Sequence, residues 1–187
     1  MNKRIYWYIK RLFDIIFSFL FLILLLPLMV LTGLLLLINL GLPLFNQRKT
    51  REGLNKKTFT MYKFRTKLLD SDDLPREKRY TKFSYIIDEL HLNELPQLIN
   101  ILVGNMSFIG PRPFIPGEKL PNNKISEKRY LVRPGLTGLA FIRGGKYLSH
   151  EKKLSYDEEY YDNFGFKQDF MIIIKTPIEM VRQFKMR

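Results

Sequence analysis

The sequence contains no cysteine, which excludes disulfide bonds, thiolate metal sites and cysteine nucleophiles together. Histidine is scarce as well, because His91 and His150 are the only two and neither has a neighbour at metal-ligand spacing. Any catalytic chemistry must therefore come from carboxylates, amides, hydroxyl groups or basic side chains. The part of the chain outside a membrane must be held together by its own core.

Charge is missing from one long stretch, residues 15–47. A helix that crosses a bilayer needs about 20 apolar residues, so the stretch is long enough to cross once. Basic residues lie on both sides of it, however, and basic flanks prefer the cytoplasmic side of a membrane. Pro27 interrupts the stretch and would break a helix there. We therefore predict that residues 1–47 form a re-entrant hairpin in one leaflet, with helices over 15–26 and 28–42. A single kinked transmembrane helix is the alternative.

Acidic residues are outnumbered, with 18 Asp and Glu against 31 Lys and Arg, which gives a formal net charge of +13. Eight of the basic residues lie between positions 48 and 67, where Glu52 is the single acid. Such a cluster beside a membrane segment is attracted to anionic lipid by about 1 kcal/mol per residue near the surface. The sequence holds no nucleic-acid recognition motif, so we expect anionic membrane lipid as a partner and no nucleic acid.

Residues 48–187 form the second predicted unit, which has the size of a single domain. Residues 58–66 predict a strand, and residues 70–75 predict a loop. A helix is predicted from Asn93 to Gly104, because leucine and isoleucine recur there at intervals of three and four. The C-terminal 18 residues predict a helix at a membrane interface. The expected fold class is α+β, with a helix-break-helix hairpin, a small α/β-associated cytoplasmic domain and interfacial helices.

Five short motifs follow one another over nearly the whole chain. They are Lys10-Arg11-Leu12-Phe13-Asp14, Tyr62-Lys63-Phe64-Arg65-Thr66, Leu92-Asn93-Glu94-Leu95-Pro96-Gln97-Leu98, Met106-Ser107-Phe108-Ile109-Gly110-Pro111-Arg112-Pro113 and Arg133-Pro134-Gly135-Leu136-Thr137-Gly138. This ordered set closely resembles the bacterial sugar transferases, which are monotopic polyprenyl-phosphate phosphoglycosyl transferases.

The resemblance implies that the chain moves a phosphosugar from a UDP-sugar to undecaprenyl phosphate, releases UMP and uses Mg²⁺. It also implies a place at the cytoplasmic face of the bacterial inner membrane, where this reaction initiates the synthesis of surface polysaccharides or glycoconjugates. The basic cluster suits such chemistry, because both substrates carry phosphate. The sugar, the pathway and the formation of a homo-oligomer are left open.

The chain departs from the family at the catalytic position. Relatives carry an Asp-Glu pair at the start of the helix, and the Asp is taken to attack the β-phosphate and form a covalent phosphosugar intermediate. This chain has Asn93 and Glu94, and an amide oxygen is a poor nucleophile. Asp88 stands where relatives usually carry Arg, and Gly145 stands near another such Arg. On the resemblance alone, Asn93→Asp is expected to gain the adduct and faster UMP release, if need be together with Asp88→Arg and Gly145→Arg.

The candidate site residues each have a structural interpretation beside the chemical one. Asn93 also suits a helix N-cap. Glu94 is the candidate Mg²⁺ ligand, although any acid in a first helical turn gains from the helix dipole. The candidate substrate-binding residues are Lys63, Arg65, Arg112, Arg133, Asp157 and Tyr160. The structural alternatives are an exposed strand edge for Lys63 and Arg65, a surface ion pair for Arg112, and a buried hydrogen-bonded pair for Asp157 and Tyr160.

The sequence therefore predicts a phosphoglycosyl transferase. The alternative is a non-catalytic paralogue that binds polyprenyl phosphate or a UDP-sugar as a scaffold or regulator. If the chain is active, the attack could come directly from the lipid phosphate, from Glu94, or from an acid such as Asp88. The sequence leaves these three open.

Overall fold

The computed structural model describes residues 3–46, 50–71, 73–117 and 127–185. Its helices are α1 (Lys3–Leu40), α2 (Lys82–Glu89), α3 (Gln97–Val103), α4 (Leu139–Ile142), α5 (His150–Asp162) and α6 (Phe166–Lys185). Its strands are β1 (Thr50–Glu52), β2 (Thr58–Thr60), β3 (Ser107–Ile109) and β4 (Gly135–Thr137). Short 3₁₀ turns lie at Leu54–Lys56, Arg76–Lys78, Leu92–Glu94, Glu127–Leu131 and Gly145–Tyr147. This mixture of helices and small sheets confirms the α+β class. Arg48 and Lys49 of the basic cluster lie outside the described residues.

The strands form two separate two-stranded sheets, β1 with β2 antiparallel and β3 with β4 parallel. The strand predicted over 58–66 is shorter than expected, because β2 ends at Thr60. Beyond it, the amide of Tyr62 donates to Asn100 Oδ1 at 2.8 Å and the amide of Phe64 donates to the Asn93 carbonyl at 2.9 Å. Residues 62–64 thus leave the sheet to bond with the segment that holds the predicted site.

The apolar segment forms one continuous helix, α1, with Pro27 inside it. The two helices predicted over 15–26 and 28–42 are therefore joined in this structure. Pro27 is exposed, so the backbone hydrogen bond that it removes lies on the outer side of α1 and leaves the packed side intact. The hairpin and the domain division at residue 47 remain predictions.

One stripe of α1 packs against the rest of the protein along the whole helix. Its members recur every three or four residues and include Asp14, Ser18, Phe21, Leu25, Met29, Thr32 and Leu36. Buried Asp14 anchors the stripe, because its Oδ1 accepts hydrogen bonds from Ser107 Oγ at 3.0 Å and the Phe108 amide at 3.1 Å. Most of the apolar remainder of α1 is exposed, and α1 is the described helix that is long and apolar enough to cross a membrane.

Asp169 at the start of α6 ties three helices together. Its Oδ2 accepts from Tyr6 Oη at 2.7 Å and forms an ion pair with Lys10 Nζ at 2.5 Å, both from α1. Its Oδ1 accepts from Tyr160 Oη of α5 at 2.8 Å. The buried carboxylate is thereby fully partnered, and it fixes the start of α1 to the C-terminal helices.

Helix α6 buries several polar residues beside the core residue Ile172 and exposes many apolar ones. The buried positions include Asp169, Glu179 and Gln183, whereas the exposed positions are largely aromatic and aliphatic: Phe166, Phe170, Ile173, Ile174, Ile178 and Val181. The predicted C-terminal helix is therefore present and begins at Phe166, before residue 170. A helix in water normally turns its apolar side to the core, so the exposed apolar face of α6 is suited to an apolar environment outside the protein.

Glycines allow β3 and β4 to approach closely where the loop that contains Pro111 meets the loop that contains Pro134. A Cβ atom on Gly110 would lie 2.2 Å from the Arg133 carbonyl oxygen, and one on Gly135 would lie 2.1 Å from the Gly110 nitrogen. Only glycine fits at this distance. The loop that carries Arg112 and the loop that carries Arg133 are thus packed backbone to backbone.

Candidate active site

The turn between α2 and α3 brings the predicted catalytic position together with Asp88. Helix α2 begins with a capping box at Thr81 and ends at Glu89. His91 then adopts a left-handed conformation with φ 57°, and the 3₁₀ turn Leu92–Glu94 follows. This reversal folds Asn93 back onto the last turn of α2.

Asn93 is fully buried and binds Asp88. Its Nδ2 donates to Asp88 Oδ1 at 2.6 Å and, at 3.4 Å, to Thr66 Oγ1. Its Oδ1 is buried and has no hydrogen-bond partner among the described residues. The N-cap interpretation of Asn93 is wrong, because the N-cap position of α3 is Pro96 and the Asn93 side chain points back to α2 instead.

Asp88 is the carboxylate at the centre of this cluster. Its Oδ1 accepts from Thr66 Oγ1 at 2.8 Å in addition to the bond from Asn93. Its Oδ2 makes no contact with a donor in the described parts of the chain, and the side chain is half-buried. The sequence indicates Asp88 both as a departure from the family's arginine and as one possible attacking acid, but not as a partner of Asn93. The signal that could have predicted the contact is the position of Asp88 five residues before Asn93, across a predicted helix boundary.

Glu94 lies beside Asn93 and is paired with Lys63. Lys63 Nζ is 2.9 Å from Glu94 Oε1, and His91 Nδ1 lies 3.8 Å from the same oxygen. Burial raises the pKa of Glu94, but the neighbouring His91 and the Lys63 ammonium more than offset this, so that the pKa ends below its usual range. Glu94 is therefore a carboxylate at neutral pH, and Lys63 is its ion-pair partner. A role of Lys63 in substrate binding remains a prediction.

Arg65 holds the end of α1. Its Nε donates to the Pro43 carbonyl at 2.8 Å, and its Nη2 donates to the carbonyls of Leu40 at 2.9 Å and Gly41 at 2.7 Å. A further bond from Nη1 reaches the Lys67 carbonyl at 3.1 Å. The buried guanidinium is thus committed to carbonyls left free at a helix C-terminus, which is a structural role.

The other two predicted arginines differ from each other. Arg112 is exposed, and its guanidinium has no partner in the residues that the structure covers. Arg133 donates from Nε to the Gly104 carbonyl at 2.8 Å and lies over the Trp7 ring at 4.3 Å. It therefore sits at the C-terminal end of α3, opposite the end that follows Glu94. Burial, then repulsion from Arg11, lowers the pKa of Arg133.

Asp157 and Tyr160 are both buried but are not bonded to each other. Asp157 Oδ2 lies 3.2 Å from Arg129 Nη1, and burial raises the pKa of Asp157 to about 7 against the opposing charge of Arg129. Tyr160 Oη donates to the Ile109 carbonyl at 3.2 Å as well as to Asp169. The pair predicted as a structural alternative is thus replaced by two separate buried contacts. A role of either residue in substrate binding remains a prediction.

Gly145 offers little room for a missing arginine. Its φ is +53°, a region that side chains disfavour, and a Cβ atom there would lie 2.5 Å from Gln183 Nε2. An arginine at position 145 would therefore strain the backbone of the turn before α5 and require the Gln183 amide to move. Rescue by a change that includes Gly145→Arg remains a prediction.

Comparison with known proteins identifies the family. The bacterial sugar transferase family matches residues 5–183. An uncharacterized sugar transferase of Bacillus subtilis, EpsL, is 37% identical over 172 residues, which cover 90% of this chain and 85% of the relative. The undecaprenyl-phosphate glucose phosphotransferase of Komagataeibacter xylinus is 36% identical over 186 residues, or 89% of this chain and 35% of the relative. The UDP-glucose:undecaprenyl-phosphate glucose-1-phosphate transferase of Xanthomonas campestris is 32% identical over 153 residues, or 73% of this chain and 31% of the relative. The chain belongs to the bacterial sugar transferase family.

Proposed function

We propose that this chain transfers a sugar phosphate from a UDP-sugar to undecaprenyl phosphate at a membrane surface and releases UMP. The observation that carries the proposal is the cluster of Asp88, Asn93, Glu94 and Lys63 at the turn before α3. It places two carboxylates and a cation together in a chain whose relatives include undecaprenyl-phosphate sugar phosphotransferases. Nucleophilic carboxylates and phosphate-binding cations are the groups that phosphoryl transfer requires.

Lys63 and Arg112 offer cations that suit the pyrophosphate of the donor. Lys63 is already at the site, and the exposed guanidinium of Arg112 is held on a stiff loop between two prolines. An arginine fork can bind a phosphate through two parallel hydrogen bonds. Arg65 contributes indirectly, since it fixes the backbone between Lys63 and the end of α1.

Glu94 fits the Mg²⁺ that the family resemblance implies. It is ionised, and its Oε2 has no partner in the described ranges, while Mg²⁺ prefers carboxylate oxygen. No group of three or more His, Asp or Glu residues in those ranges forms a ready metal cage, so Glu94 would share the ion with substrate phosphate and water. Bound there, Mg²⁺ would neutralise part of the pyrophosphate charge.

The exposed faces of α1 and α6 support a membrane location. Both are apolar, and that of α6 lies opposite a buried polar stripe. Both ends of α1 contact the same body of the protein, since Lys3 Nζ donates to the Tyr161 carbonyl at 3.0 Å and Thr81 Oγ1 donates to Asn39 Oδ1 at 2.6 Å. A helix that crossed the bilayer would separate its ends, so these contacts favour entry into one leaflet. We place the chain on the cytoplasmic face of the inner membrane, where anionic lipid meets its basic residues.

The test is UMP release by the purified chain in lipid nanodiscs that contain undecaprenyl phosphate, with Mg²⁺ and a panel of UDP-sugars that includes UDP-glucose and UDP-galactose. We expect release that requires undecaprenyl phosphate and falls at least about 10²-fold in Glu94→Gln. Glu158→Gln, a change of an exposed glutamate on α5, is the matched control and should leave the rate unchanged. Failure of every donor to release UMP would refute the proposal.

A specific observation favours a second function, that of a non-catalytic binding protein. Residue 93 carries an amide that is buried and faces α2. If the chain only binds, UDP-sugar should bind without UMP release, and Arg112→Ala should weaken that binding by the roughly 1.5–3 kcal/mol of a hydrogen bond to a charged group. Calorimetric titration beside the release assay separates the two functions.

A further inference from the structure

We propose that Asp88 is the nucleophile of this chain, with Asn93 and Thr66 as its positioning residues. The inference rests on the proposed function and assigns a residue to its central step. It follows from the way the amide of Asn93 and the hydroxyl of Thr66 both bind one oxygen of the Asp88 carboxylate and leave the other without a donor.

Two hydrogen bonds orient the carboxylate. Asn93 Nδ2 and Thr66 Oγ1 lie 2.6 Å and 2.8 Å from Asp88 Oδ1, so the carboxylate plane is fixed from two directions. Because Thr66 and Asn93 are buried while Asp88 is half-buried, Oδ2 is the oxygen available to a substrate. Orientation of this kind lowers the entropic part of a reaction barrier.

The partners of Asp88 are neutral, which sets it apart from Glu94. An amide and a hydroxyl leave the negative charge of Asp88 in place, whereas Glu94 shares its charge with Lys63 at 2.9 Å and lies 3.8 Å from His91. A carboxylate next to an ammonium is a weaker nucleophile, because its electron density is drawn toward the cation. Glu94 is better suited to hold a metal or a phosphate counterion than to attack.

The two ends of the Asn93 amide differ in their partners. A buried polar atom without a hydrogen bond destabilises the folded chain. Asn93 Oδ1 is such an atom among the described residues, on a side chain with no exposed surface. The other end of the amide, Nδ2, donates a hydrogen bond to Asp88, so this is the main contact that the buried side chain makes.

The step balances without a further reactant. Asp88 Oδ2 attacks the β-phosphorus of the UDP-sugar and forms an acyl phosphate. The bond from that phosphorus to the oxygen bridging the α-phosphate breaks, and UMP leaves with its electron pair. A phosphate oxygen of undecaprenyl phosphate then attacks the same phosphorus, which releases the Asp88 carboxylate and yields the lipid diphosphosugar.

Adduct mapping tests the assignment directly. The full chain in nanodiscs is mixed with Mg²⁺ and either UDP-glucose or UDP-galactose in the absence of acceptor lipid, quenched and digested with an endoprotease that cleaves after glutamate. Cleavage after Glu77, Glu89 and Glu94 separates Asp88, in peptide 78–89, from Glu94. We expect the phosphosugar on peptide 78–89, and its conversion to a hydroxamate at Asp88 by hydroxylamine. A phosphosugar on Glu94, or UMP release without any adduct, would overturn the assignment.

Variants supply the second measurement. Asp88→Asn should lose the adduct and slow UMP release by roughly 10³-fold or more, the scale expected for loss of a nucleophile. Asp73→Asn makes the same change at an exposed acid and should behave like the natural chain. Thr66→Val should slow the reaction with the adduct still on Asp88, and Thr66→Ser should restore the rate.

The outcomes separate this inference from the proposed function. Normal UMP release by Asp88→Asn overturns the role of Asp88 and leaves phosphoglycosyl transfer standing. No UMP release by the natural chain with any donor overturns both. If Asp88→Asn does not fold, as judged by its melting curve, the adduct position in the natural chain decides alone.

Discussion

Replacing Asn93 with Asp should impair this protein rather than restore it. Asn93 Nδ2 donates to Asp88 Oδ1 at 2.6 Å, so the substitution exchanges a hydrogen-bond donor for a second carboxylate oxygen against the first. Two carboxylates at such a distance cannot both remain ionised. The contact with Asp88 thus leads to the opposite expectation from the family resemblance, under which Asn93→Asp gains activity.

The cost of Asn93→Asp can be estimated from that contact. Two unit charges about 3 Å apart repel by about 5 kcal/mol at an effective dielectric constant near 20, and sharing one proton relieves most of this. Loss of a hydrogen bond to a charged group costs about 1.5–3 kcal/mol. We expect the free energy of unfolding to fall by about 2–3 kcal/mol near pH 7. For a chain of this size the melting temperature should fall by about 4–12 °C.

The pH dependence of the loss is diagnostic. The shared proton raises the pKa of one carboxyl in the folded variant above its unfolded value of about 4. The folded variant then binds more protons than the unfolded one above that value, so its stability falls as the pH rises toward the raised pKa. Melting curves of the natural chain and Asn93→Asp should therefore lie closer together at pH 5 than at pH 8.

A transposed variant provides the control. Asp88→Asn combined with Asn93→Asp keeps one amide and one carboxylate in contact, so it should recover most of the lost stability. Equal melting temperatures of Asn93→Asp and the natural chain at both pH values would show that residue 93 does not contact the Asp88 carboxylate. Faster UMP release by Asn93→Asp than by the natural chain would refute the reasoning that residue 93 serves Asp88.

Three further predictions concern the frame around the site. Asp169→Asn should lower the free energy of unfolding by about 3–5 kcal/mol, measured by melting, because Lys10 is left as an unpaired cation near 11% side-chain exposure. Arg65→Lys should destabilise the chain by about 2 kcal/mol and speed proteolysis near residue 40, since an ammonium cannot reach the four carbonyls that the guanidinium binds. Ile174→Glu on the exposed face of α6 should reduce co-sedimentation with phosphatidylglycerol vesicles while the melting temperature stays unchanged, because the side chain is 53% exposed. An unchanged pellet fraction would show that α6 does not contact lipid.

The spacing of apolar residues predicted a helix correctly where that spacing matches the side of the helix that is buried. The helix expected from Asn93 to Gly104 appears as the turn Leu92–Glu94 and α3, closed by Gly104 in the left-handed region with φ 94°. The strand over 58–66 was predicted from β-branched and aromatic residues alone, yet most of it bonds to distant groups such as Asn100. Hydrogen bonds to residues far along the chain cannot be predicted from the local sequence pattern of a strand.

The site was predicted in part, because charge and motif order locate residues but not their partners. Lys63 is predicted at phosphate and Glu94 at Mg²⁺, and the ion pair between them is a contact that the sequence did not predict. Arg65 was expected at phosphate and instead binds carbonyls at the end of α1, a role that depends on where a helix 25 residues earlier in the chain ends. The contact between Asp88 and Asn93 could not be predicted, because it depends on a left-handed turn at His91. Such a turn is normally predicted from a glycine, and residue 91 is a histidine.

Residues 88 and 93 are best understood as a unit. Under the family resemblance, an acid where an arginine is expected and an amide where an acid is expected both count against catalysis when they are judged one at a time. Judged as a contact, they keep one carboxylate at the turn before α3 and give it a neutral donor at 2.6 Å, with Thr66 as a second donor to the same oxygen. The contact therefore favours a chain whose attacking carboxylate stands at residue 88 over one that has lost its chemistry.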